Sequence, residues 1–142
     1  MIVLDANVLL YAYDSKAAAH ARCKTWLEGA LNGEAQIAIP WQTLLAFVRI
    51  ATNPRAFGNP LTVSAAVELV ETWMARPHVV VLAPGGRYWP ILKQQLLEAQ
   101  VSGPLVTDAA LAALTLEHGA ALATTDRDFR RFDELEIINP AA

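Results

Sequence analysis

The segment MIVLDANVLLYAYD, residues 1–14, sets an acidic residue between two apolar runs. Met1 to Leu4 is continuous and apolar, which suits a central strand of a parallel sheet buried on both faces. A half-exposed strand would alternate instead. Ala6 to Tyr13 turns at once into a helix. Asp5 stands at the junction, so its carboxylate emerges at the carboxyl edge of a strand. Open α/β sheets place their sites there.

Outward from that start, helical and strand patterns alternate. A second helix is expected over Lys16 to Leu31, with Cys23, Trp26, Leu27, Ala30 and Leu31 at core spacing. Asn32-Gly33 ends it. Gln36 to Ile39 reads as a strand, and Pro40 opens a helix to about Ala51. Asn53-Pro54, Gly58 and Pro60 mark a loop. The next helix shows Val63, Ala66, Val67, Val70 and Met74 on one face. Val79 to Leu82 is a β-branched strand candidate. Pro84-Gly85-Gly86 is a turn, and Tyr88 to about Val101 reads as helical. Ala109 to Leu116 is apolar all round, a buried helix ended by His118-Gly119. Ala121 to Thr124 is a strand, Phe129 to Phe132 a helical turn, and Glu136 to Ile138 a last strand. The alternation predicts a three-layer α/β/α sandwich on a parallel sheet.

The bulk numbers agree. The 142 residues fit one domain over residues 1–142, long enough for a sizeable core. The hydrophobic fraction is 54% against 18% charged, which excludes disorder and leaves apolar surface for a partner. No run is long enough to span a membrane, and no basic segment precedes an apolar one as in a secretory signal. With Cys23 the only cysteine, no internal disulfide forms, and a cytoplasmic location is expected. The formal net charge of -3 weighs against a nucleic-acid binder unless the acid is gathered at a metal site.

Such a gathering is what the pattern implies. Asp126 follows the strand ending in Thr124-Thr125, as Asp5 follows Leu4, and Asp108 sits at the start of the alanine-rich helix. Asp128 offers a fourth carboxylate. Each aspartate alone has a plain alternative as a turn or helix cap. Together they repel and call for a cation. Oxygen ligands without histidine or cysteine suit Mg²⁺ or Mn²⁺. A cation so held suits phosphodiester hydrolysis by an activated water.

The segments IVLDANVLLYAYD and TDAALAALTLEHGAALATTDRDFRRF resemble the opening strand and the C-terminal half of the PIN-domain family. Within that family they are most similar to the VapC-like ribonuclease toxins of toxin–antitoxin pairs. IPWQTLLAFVRIATNPRAF and the final INP resemble a subgroup of those toxins. The resemblance implies a four- or five-stranded parallel sheet and Mg²⁺- or Mn²⁺-dependent RNA cleavage. It makes Asp5, Asp108 and Asp126 the catalytic, metal-binding aspartates. It also implies a VapB-like antitoxin over the acidic groove and a homodimer. Many members carry a glutamate on the third helix, three residues before an arginine. Counting back from Arg49, that position holds Ala46 here. Gln42, one turn earlier, is a neutral substitute candidate.

Further residues are candidates for support. Asn7 can hold Asp5 or a metal water, and the Thr125 hydroxyl can orient water or phosphate. Arg49 can brace a carboxylate from an otherwise apolar helix. Arg127, Arg130 and Arg131 can grip RNA phosphates. His20 and His118 have no partner at zinc spacing. Trp26, Trp41, Trp73 and Trp89 read as core or interface. Leu61 to Trp73 and the first two helices are candidates for dimer and antitoxin contact. Two other functions compete: a catalytically weakened PIN-like module that binds RNA or protein, motivated by Ala46, and an aspartate-dependent phosphatase. The latter chemistry wants an acid at position 7, where Asn7 stands.

Overall fold

The computed structural model describes residues 1–142. Five strands form one parallel sheet: β1 (Ile2–Leu4), β2 (Ile37–Ala38), β3 (Val79–Val80), β4 (Ala121–Ala123) and β5 (Ile137–Ile138). Their order is β3-β2-β1-β4-β5. The chain steps outward from β1 to β3, then returns to β1's other side for β4 and β5. The order therefore reverses between β1 and β4, the switch point where sheets of this kind open a crevice. Leu4 is in register with Ala123, so Asp5 leaves the sheet beside Thr124.

Successive side chains of a strand face opposite ways, and the core divides accordingly. Leu4, Ile37 and Ala123 join a cluster with α1 (Ala6–Tyr13), α2 (His20–Asn32), α3 (Trp41–Ala51) and α4 (Val63–Met74). Val3, Ala38 and Leu122 join a second cluster with α6 (Leu105–Glu117), which packs against α5 (Tyr88–Ala99). Helices thus cover both faces, giving the predicted sandwich. Phe129 and Phe132, around the 3-10 helix Arg127–Arg131, close the second cluster.

Three details position the site. The Thr43 hydroxyl donates to the Leu4 carbonyl at 2.8 Å, buried, and so ties α3 to the end of β1. Asp5 caps α1 through the Ala6 amide at 2.7 Å. On the far side, buried Glu117 accepts from the Gly85 and Arg87 amides at 2.8 and 3.0 Å, fastening the loop before α5 to α6. A Cβ at Gly85 would meet Glu117 Oε2 at 2.9 Å, so a side chain there would displace that carboxylate.

Two expectations need correction. The second helix starts at His20, not Lys16. Asp14 accepts from the Lys16 amide, and Ser15 donates its amide and hydroxyl to Asn59, which holds this segment in turns. On α4, the expected stripe is buried only in part: Ala66 is buried and Val70 packs against the core, but Val63, Val67 and Met74 are exposed, and Trp73 is buried in their place. Trp73 meets Phe47 edge-on at 4.8 Å and donates its indole N–H to the Tyr13 hydroxyl at 3.2 Å. One indole outweighs several valines in buried area and sets the helix rotation.

Candidate metal centre

Four aspartates lie around the switch point. Carboxylate oxygens of Asp108, Asp126 and Asp128 lie within 4.8 Å of one another. Asp5 stands just outside that trio, next to Asp108 along the same cleft of about 170 Å³. Asp108 arrives from the first turn of α6, where it does not cap the helix; Pro104 holds the cap position. Asp126 caps the 3-10 helix through the Asp128 amide at 2.8 Å and still presents its other oxygen.

Asp5 is fixed by its neighbours. Its Oδ2 accepts from the Thr124 hydroxyl at 2.7 Å and from Asn7 Nδ2 at 3.0 Å. Thr124 Oγ1 in turn accepts from the Asp126 amide at 3.0 Å. Asn7 Oδ1 accepts from the Thr125 amide at 3.2 Å. This network locks the ends of β1 and β4 together and holds two carboxylates at a set separation. Thr125, whose hydroxyl was the expected contributor, enters only through its backbone; the bridging hydroxyl belongs to Thr124. Only the strand register reveals it, by setting Thr124 beside Asp5.

The charges are in tension. Burial, and then the Asp126 charge, raise the pKa of Asp5 against the hydrogen bonds of Thr124, Ala6 and Asn7. Asp108 is raised from 3.8 to about 6, first by burial and then by Asp126, Asp5 and Asp128. No hydrogen bond offsets that rise, and only the Arg131 charge works against it. A carboxylate without donors, beside three others, fits an oxygen-ligated divalent cation.

The opposite wall of the cleft comes from α3 and is uncharged. Gln42, Thr43 and Ala46 line it, and Gln42 Nε2 donates to the Thr107 carbonyl at 3.2 Å. No carboxylate stands in for a glutamate at Ala46. Arg49 lies exposed on the same helix, outside any ion pair, so it does not brace the site. Arg131 pairs with Asp128 at 3.4 Å, while Arg127 and Arg130 stay unpaired beside Asp126. His20 and His118 bind backbone carbonyls of Tyr11 and Leu114, away from the acids. Trp73 is core, and Trp41 and Trp89 are exposed.

Residues 2–135 match the family model described as PIN domain. The chain is 41% identical over 142 residues to the Mycobacterium tuberculosis protein named Ribonuclease VapC37, covering 100% of this chain and 99% of that one. The solved structure of VapBC-1 from nontypeable Haemophilus influenzae superposes with a TM-score of 0.71 at 17% identity, covering 100% of both chains. A toxin–antitoxin complex from Klebsiella pneumoniae gives 0.64 at 18% identity, covering 99% of this chain and 98% of that one.

Proposed function

The chain belongs to the PIN-domain family, and from that premise we propose that it is a divalent-metal-dependent endoribonuclease, the toxin of a VapBC-type toxin–antitoxin pair. One observation carries the reading: Asp108, unpaired and raised to about 6, faces Asp5, Asp126 and Asp128 across the switch point. The ligand set is Asp5, Asp108 and Asp126, with Asp128 as a fourth oxygen donor. All are hard oxygen ligands, so Mg²⁺ is the expected ion and Mn²⁺ a substitute. When bound, the ion supplies Lewis acidity, an acidified water and charge balance for the leaving oxygen.

The chain's own residues do the rest. Thr124 and Asn7 hold Asp5 so that its oxygens need not reorganise on binding. The uncharged α3 wall leaves room for the strand without adding repulsion toward its phosphates. Arg127, Arg130 and Arg131 supply positive charge next to Asp126. The exposed Val63, Val67 and Met74 on α4, with the outer side of α2, are the surface for a second copy or a VapB-like antitoxin, whereas α1, expected to share it, is buried in the core. No helix is long and apolar enough to cross a membrane, and a cytoplasmic site of action fits RNA as substrate.

The test uses protein freed of antitoxin, incubated with a mixed RNA pool with and without Mg²⁺ or Mn²⁺. Metal-dependent cleavage that drops at least a hundredfold in Asp5→Asn is expected. Unchanged cleavage in that variant would overturn the site. A second reading, a PIN-like module that binds without cutting, draws on the bare α3 wall at Ala46. Binding of RNA without cleavage under any divalent ion would favour it. The phosphatase reading loses support, because the Asn7 side chain is committed to Asp5, Thr124 and Thr125.

A further inference from the structure

A 3-10 helix has about three residues per turn, so positions three apart stack on one side. Arg127 and Arg130 have that spacing. Both line a notch of about 30 Å³ on the β5 side of Asp126, with Thr125 and Asn139 among its other walls. Ile137 is its one apolar wall. The neighbouring Arg131 is engaged elsewhere: its Nε donates to the Asp128 carbonyl at 2.9 Å and its guanidinium pairs with the Asp128 carboxylate. Arg127 and Arg130 enter no ion pair. What sets the two apart is their place: both guanidinium groups flank Asp126 over one polar notch.

Size decides what the notch can take. At about 30 Å³ the notch is far smaller than the acidic cleft of about 170 Å³, so it suits the oxygens of one phosphate better than a base. Guanidinium forks match the paired oxygens of a phosphodiester. Asp126 lines this notch and also belongs to the acidic trio, so the two sites share a wall.

We propose that Arg127 and Arg130, with Thr125 and Asn139, form a subsite for one backbone phosphate of the RNA strand flanking the bond that is cut. This rests on the ribonuclease reading and adds a direction to it: the strand leaves the acidic cleft over Asp126 toward β5. The contact is to backbone charge, so it fixes register and not base identity.

The test compares the Mg²⁺-loaded protein with an Arg127→Ala, Arg130→Ala double variant on a short single-stranded RNA with one cut site. Parallel substrates carry one uncharged methylphosphonate at successive positions around that site. The double variant should raise KM about tenfold with kcat within about twofold. In the unaltered protein, one flanking methylphosphonate should raise KM by a similar factor, and in the double variant it should add nothing. A double variant with unaltered KM at low salt overturns the subsite, as does a loss that adds to the methylphosphonate effect at every position. Protein that binds RNA without cutting it overturns the ribonuclease reading instead. The same additivity comparison, read as binding affinity by fluorescence anisotropy, then decides the subsite. Both arginines are exposed, so the variant should melt within about 2 °C of the parent.

Discussion

Asp108 carries its charge against its surroundings. Its pKa of about 6 in the folded chain exceeds the ordinary 3.8, so the folded state binds more protons than the unfolded one between those values. Stability of the metal-free protein should therefore fall as pH rises from about 4 to about 6, then level off. Asp108→Asn removes the repulsion, so its metal-free melting temperature at pH 7 should exceed the parent's, while metal-dependent cleavage is lost. A melting temperature lowered at pH 7 would contradict this. In the parent, Mg²⁺ affinity should drop as pH falls below about 6, because Asp108 must be deprotonated to bind. At this scale the sequence exposed the aspartates, since two follow strand-like runs and one opens an alanine-rich helix. It hid Thr124, because a threonine at a strand end is ordinary until the register sets it against Asp5. It also misplaced Arg49, because three or four residues along a helix decide whether a cation faces a cleft or the solvent.

Among the elements, α3 and α4 show what periodicity does and does not give. Both were legible as helices. Which side faces inward depended on single side chains: Thr43 on the Leu4 carbonyl for α3, and Trp73 among Phe47 and Tyr13 for α4. Trp73→Ala should cost about 3–5 kcal/mol by urea unfolding, the range for truncating a large buried aromatic. A cost under about 1 kcal/mol would mean that the aromatic trio does not anchor α4. The α3 wall makes a converse prediction. Ala46 is half-buried and faces the cleft beside Asp5 and Asp108. Ala46→Glu adds a carboxylate there, so Mn²⁺ should bind at least about threefold more tightly by calorimetry, and the metal-free protein should be less stable. Unchanged affinity would place Ala46 outside reach of the ion.

For the whole molecule, the strand order makes the site. Alternation of helix and strand patterns gave a parallel sandwich from sequence, but the order β3-β2-β1-β4-β5 comes only from the pairing. That order reverses between β1 and β4 and so brings Asp5 and Asp126 together from opposite ends of the chain. α6 then sets Asp108 over the gap. The departure at Ala46 makes cation binding by the remaining carboxylates the point on which everything else rests. A crystal soaked in Mn²⁺ and measured for anomalous scattering tests it directly. One peak per chain is expected among Asp5, Asp108 and Asp126, at about 2.1 Å from the carboxylate oxygens that bind it. A crystal with no peak at this cluster, at millimolar Mn²⁺ and pH above 7, would contradict it.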